Sequence, residues 1–125
     1  QKCIYCVYAS VKFNHEIATT LKTAFHNKTI KMLKSQLEAE DFIDGYFKMT
    51  PQEQARKLLP YINISLMQDE IISLEYEVKD SYIKVYETTG NRKDRYSSLA
   101  YGNYFIRLQE KKLKKKKKGG FANLW

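Results

Sequence analysis

An α/β fold whose helices cover most of a sheet is the class this sequence predicts, and three observations predict it. A continuously apolar run rich in strand formers, CIYCVY, occupies residues 3–8. A second strand-like stretch at residues 81–87 keeps Ile83 and Val85 on one face. The segments between and after them carry apolar residues at steps of three and four, the helical period. The resulting order is strand, helix, strand, several helices, strand, helix, which suits a layered α/β unit.

Each element has its own signal. The run at residues 3–8 does not alternate, so it reads as a strand buried on both faces. Asn14 can cap the helix that follows, in which Ile17, Leu21 and Phe25 recur every four residues, and Asn27-Lys28 ends it. Residues 29–34 predict a short strand with Ile30 and Met32 on one face. Residues 36–48 predict a helix with Leu37, Phe42, Ile43, Tyr46 and Phe47 apolar, weakened at Gly45 by about 1 kcal/mol relative to Ala. Thr50-Pro51-Gln52-Glu53 is a strong helix start. Thr50 caps, Pro51 fits the first position and Glu53 completes a capping box. That helix is expected to stop before Pro60. Another covers residues 63–77, with Ile64, Met67, Ile71 and Leu74 as its buried stripe. Thr89-Gly90-Asn91 reads as a turn. Residues 96–113 form the last helix, with Leu99, Tyr101, Tyr104 and Leu108 turned to the core.

Composition sets bounds on function. The chain has 125 residues, 43% apolar and 29% charged, enough for one compact domain or a piece of one. It has 10 tyrosines, large rings whose hydroxyls still need partners. The formal net charge of +8 suggests a polyanionic partner, but seven of the lysines lie at residues 111–118. Without them the body is nearly neutral, so the basicity belongs to a tail. No apolar run approaches the ~18 residues of a membrane span, and no membrane partner is expected. Two cysteines and no visible signal peptide favour a reduced, intracellular setting. The chain does not begin with Met and opens on a strand-like run, which suggests a fragment lacking its upstream part.

The chemistry-bearing residues are few. Cys3 and Cys6 form one C-x-x-C without the second pair that a structural zinc site needs. Their spacing within a strand sends them to opposite faces, so they read as buried core cysteines rather than metal or redox ligands. His15 and His26 are 11 residues apart near the ends of one helix, too far to share a metal, and read as surface positions. Glu38, Glu40, Asp41 and Asp44 read as a solvated helix face. The informative segment is residues 90–105, GNRKDRYSSLAYGNYF, where Arg92, Lys93 and Arg95 bracket Asp94 just before a helix. Spacing alone allows two readings. Asp94 is an ordinary N-cap among surface cations, or it is a metal ligand at the mouth of a cleft, with the cations holding DNA phosphates.

The segment GNRKDRYSSLAYGNYF resembles the closing motif of the nuclease domain in phage terminase large subunits. There an Arg/Lys-Asp-Arg stretch leads into a helix of the pattern Tyr-Ser-Ser-Leu-Ala-Tyr. Upstream, FNHEIATTLKTAF at residues 13–25 resembles the family's helix after a sheet strand. PYINISLMQDEIISLEYEV at residues 60–78 resembles the segment before the last strand. The resemblance covers residues 3–113, and the Asp94 motif is its specific part.

That resemblance implies the C-terminal portion of a ribonuclease-H-like fold, with residues 1–113 a partial nuclease domain; the composition of residues 114–125 reads separately as a basic, flexible tail. It implies a metal-dependent endonuclease that cuts concatemeric double-stranded phage DNA for packaging, in the cytoplasm of a bacterial host or from a prophage. Its partners would be the portal and the small terminase subunit. Asp94 would be the last acidic ligand of a two-ion Mg²⁺ or Mn²⁺ site, and Arg92, Lys93 and Arg95 would be DNA contacts. Two ions about 3.5–4 Å apart activate water and stabilise the leaving oxygen, and holding them takes several carboxylates. The family's other acids lie on earlier strands, and no G-x-x-x-x-G-K-[ST] loop is present. The chain by itself is therefore expected neither to cut DNA nor to hydrolyse ATP. Its incomplete sheet could drive self-association. The alternative is a non-catalytic nucleic-acid-binding or assembly module acting through the lysine tail, with the apolar residues 121–125 as a docking peptide.

Overall fold

The structure, a computed structural model, describes residues 4–90 and 92–121, with side chains in the last helix up to Lys116. Its elements are α1 (Val11–His26), α2 (Gln36–Phe42), a 3-10 turn (Tyr46–Lys48), α3 (Pro51–Ser73), β1 (Glu75–Lys79), β2 (Tyr82–Tyr86) and α4 (Asp94–Phe121). The mixed α/β class holds. The sheet is smaller than expected, because the described strands are only β1 and β2, paired antiparallel.

Several strand and helix expectations need correction. Residues 4–8 form no strand, and Ile4 and Tyr8 are among the most exposed apolar residues. A strand persists only with a partner in a ladder, and β1 and β2 pair with each other. Tyr5 instead stacks on Phe105 at 5.0 Å between ring centroids, and its hydroxyl accepts from Gln109. Cys6 is consequently exposed rather than buried; Cys3 lies outside the described residues. Residues 29–34 are likewise irregular, although Thr29 Oγ1 donates to Ala24 O at 3.1 Å and ties them to the end of α1. The helix expected at residues 36–48 stops at Phe42, and Gly45 at φ 69° turns the chain into the 3-10 turn. Only glycine reaches that φ without steric cost.

Pro60 does not end a helix. α3 runs through it as one rod of 23 residues. Proline removes the bond to the carbonyl four residues earlier. Both Pro60 and Arg56 are exposed, so water can reach that carbonyl. At its other end α3 stops sooner than the apolar stripe suggested. Leu74 is extended, and residues 75–77 open β1 instead of finishing the helix. The two-residue turn Asp80-Ser81, with φ of 49° and 67°, returns the chain as β2. Positive φ at both central residues matches the twist of a tight hairpin. The strand expected at residues 81–87 is thus present as Tyr82–Tyr86.

The core is the crossing of α1 and α4. Ile17 and Leu21 press on Ala100, which has no accessible surface, with Phe13, Leu99, Tyr101 and Tyr104 packed around them. A methyl side chain at position 100 lets the two backbones approach closely. Phe13 meets Tyr104 edge-on at 5.2 Å and Tyr101 at 5.7 Å. The last helix starts two residues before its expected first residue and continues to Phe121, taking in the whole lysine run. Residues 122–125, the rest of the suggested docking peptide, lie outside the described residues.

His15 is not an ordinary surface residue. With Lys79↔Tyr82 closing the hairpin, the amide of Ile83 points away from β1. It donates to His15 Nδ1 at 2.9 Å, and the imidazole edge meets the Tyr82 ring at 5.5 Å. A nitrogen that accepts carries no proton, so the ring proton sits on Nε2. His26, by contrast, is exposed in the last turn of α1.

The Thr50 capping box forms as read. Thr50 Oγ1 accepts from Glu53 N at 3.4 Å, and Glu53 Oε2 accepts from Thr50 N at 2.9 Å. Thr50→Ala should lower stability by about 1 kcal/mol in urea unfolding. The Thr50 backbone N–H first, and its hydroxyl second, hold the Glu53 carboxyl below its ordinary value of 4.5. A depressed carboxylate stabilises the fold above its unfolded value and loses that contribution as pH falls through the lower folded one. The stability gap between the wild type and Glu53→Gln should therefore close on acidification through the carboxylate range; a gap independent of pH would contradict the box.

Candidate functional site

The segment that carries Asp94 is placed by what precedes it. Thr88 Oγ1 donates to Ser73 O at 3.1 Å, tying the exit of β2 to the end of α3. Gly90, at φ 83°, then turns the chain toward α4; Asn91 lies outside the described residues. The carbonyl of Lys93 accepts the first helical bond, from Ser97 N at 2.8 Å. Asp94 is therefore the first residue inside the helix rather than its cap. An acid there is favoured by the partial positive charge of the helix start. Its side chain is exposed, and Ser98 Oγ donates to its carbonyl at 2.9 Å.

The cap comes from another helix. Glu70 on α3 is buried, and its Oε1 accepts from Tyr96 N at 2.8 Å. The first four N–H groups of a helix have no partner within it, so a carboxylate from outside meets a real need. Glu70 Oε2 also lies 3.5 Å from Arg95 Nη1, the one ion pair among the described residues. The two side chains differ in environment. Glu70 is 6% accessible and Arg95 44%. The pair is therefore half screened by water, and the amide contact is the stronger of the two.

The three loop cations thus separate. Arg95, expected at DNA, is engaged with Glu70. Arg92 is exposed. Lys93 is half-buried and lines a cleft of about 280 Å³ with Lys84, Asn14, Ser97, Tyr96 and Tyr101. Burial of Tyr96 holds its phenol above the ordinary value, so it stays a neutral wall of that cleft.

Sequence reasoning missed Glu70 and Lys84. Glu70 left a trace, since it lies three residues after Met67 and four before Leu74, both in the apolar stripe of α3. A carboxylate on that stripe must find donors or ionise at great cost. Lys84 left none, because only the hairpin brings it beside Lys93. The acidic residues Glu38, Glu40, Asp41 and Asp44 are all exposed, with Glu38 accepting from Ser35 Oγ at 3.1 Å. No group of three or more His, Cys, Asp or Glu suited to a metal gathers among the described residues. No helix among them is long and apolar enough to cross a membrane.

Comparison with known protein families, with characterised proteins and with solved structures finds no match.

If Glu70 caps α4, its loss should matter more than the loss of its ion pair. Glu70→Ala is expected to cost about 2 kcal/mol, whereas Arg95→Gln should cost under about 1 kcal/mol. Chemical unfolding of the two variants measures this, and equal losses would argue against the cap.

Proposed function

We propose that this chain is the C-terminal part of a terminase large-subunit nuclease domain of ribonuclease-H-like fold. In that reading Asp94 supplies one carboxylate of a Mg²⁺- or Mn²⁺-dependent site that cuts double-stranded phage DNA during packaging in the bacterial cytoplasm. The observation that supports it most is the position of Asp94. The motif GNRKDRYSSLAYGNYF falls where the chain passes from a strand into a helix, and Asp94 is exposed in the first turn, next to a cleft holding Lys93 and Lys84.

The fit to a metal is incomplete. One carboxylate among cations does not hold a divalent ion, which takes several oxygen ligands. The described residues do not make such a site, so no catalytic step is assigned through it. What this chain's own residues supply is narrower. Asp94 presents a carboxylate at the positive end of α4. Lys93, with Lys84 in the same cleft, and the exposed Arg92 draw phosphates toward it. Arg95 contributes by positioning, through Glu70, rather than by touching DNA. The portal and small terminase subunit belong to the proposal through the resemblance alone.

Two measurements test it. The 125-residue chain should not nick supercoiled plasmid in Mn²⁺, and nicking lost in Asp94→Asn would overturn the view that the chain holds only one ligand. In a complete terminase carrying this segment, Asp94→Asn should reduce cleavage by more than about 100-fold, beyond what loss of an outer-shell partner costs. Cleavage within tenfold of the wild type would remove Asp94 from the site.

A further inference from the structure

A second cationic feature lies away from Asp94, on the other part of α4. Residues Ala100, Tyr104, Arg107 and Lys111 follow one another at steps of three and four, and Lys114 and Lys115 lie three and four residues beyond Lys111, so they share a face of the helix. At Ala100 and Tyr104 that face is covered by α1. From Lys111 onward it is exposed and carries ammonium groups. Where the cover ends, a cleft of about 170 Å³ opens between the helices. Thr19, Thr20 and Thr23 of α1 form one wall, and Tyr104, Arg107 and Lys111 of α4 form the other.

The donors in that cleft are specific. Thr23 Oγ1 already donates to Thr19 O at 2.9 Å, so it offers only lone pairs. Arg107 Nη2 donates to Thr29 Oγ1 at 2.9 Å, which holds the guanidinium in place and leaves its other N–H groups available. The nearest acid on α1, Glu16, accepts from Tyr104 Oη at 3.4 Å, and Glu110, three residues after Arg107 and four before Lys114, flanks the cationic face without lining the cleft. A guanidinium and an ammonium thus converge beside the threonine wall without an acid in the lining. That donor set suits phosphate oxygens. From Arg107 to Lys115 the face runs for about 12 Å, the axial rise of three or four phosphates of one strand.

We infer that the cleft between α1 and α4, with the lysine face continuing from it, is a track for the phosphate backbone of duplex DNA. This rests on the DNA-directed reading above but concerns holding DNA rather than cutting it. The threonine wall and Arg107 make the first contact a built one, and Lys111, Lys114 and Lys115 extend it without base recognition.

Anisotropy of a labelled 20-bp duplex, measured in EDTA from about 50 to 200 mM salt, tests the inference on the 125-residue chain. Arg107→Gln/Lys111→Gln should weaken binding about tenfold at the low-salt end and flatten the salt slope by about two. Lys111→Gln alone, at an exposed position, should flatten it by about one and guards against a folding defect from losing the Arg107–Thr29 contact. Three results would overturn the track: Lys111→Gln and the double variant both binding within twofold of wild type, removal of residues 112–125 abolishing binding that the double variant retains, or poly-glutamate binding as tightly as the duplex. Loss of binding in these variants together with Asp94-independent cleavage in a complete terminase would sink the nuclease reading and leave the track standing.

Discussion

The burial of Glu70 against the first turn of α4 is the constraint on which the rest of this structure depends. A carboxylate inside a small protein must have strong donors, and the free amides of a helix start are among the best available. By accepting from Tyr96 N, Glu70 sets where α4 begins. Asp94 therefore falls in its first turn instead of in the preceding loop. The same contact joins α3 to α4, leaving α1 to close the core over Ala100 from the other side.

From that starting point α4 acts as a rod with different chemistry along its length. Asp94 and Lys111 lie 17 residues apart, about 25 Å along the axis. The first turn offers a carboxylate beside cations; the middle is apolar and covered by α1; the far part is cationic and exposed. Because one continuous helix carries all three, the distance between the two charged ends does not depend on a flexible linker.

Most local signals were legible where a few neighbouring residues decide the outcome, although α1 is capped by Ser10, which accepts from Phe13 N at 3.1 Å, four residues before the expected cap Asn14. The Thr50 capping box, the turn at Asn27-Lys28, the weak point at Gly45 and the strand at Ile83 and Val85 all stand. The errors share a cause. The run at residues 3–8 has the composition of a buried strand, but burial needs a partner that the described fold does not provide. Residues 75–77 continue a helical stripe, but the tight turn at Asp80-Ser81 offers pairing with β2, and the ladder prevails. Pro60 is carried within α3 where both it and Arg56, four residues earlier, lie on the exposed side of the helix.

The candidate site divides in the same way. The Arg-Lys-Asp-Arg segment, the lysine run and the mixed α/β class follow from the order of residues alone, since charge and helical period are local properties. Which cation is free and which is engaged was decided by tertiary structure. Arg95 meets Glu70 across 25 positions, Lys84 joins Lys93 through the hairpin, and Arg107 faces the threonines of α1 across 84 to 88 positions. No short-range rule reports such pairings, because they arise only when separate helices bury their apolar faces together and carry the polar edges with them.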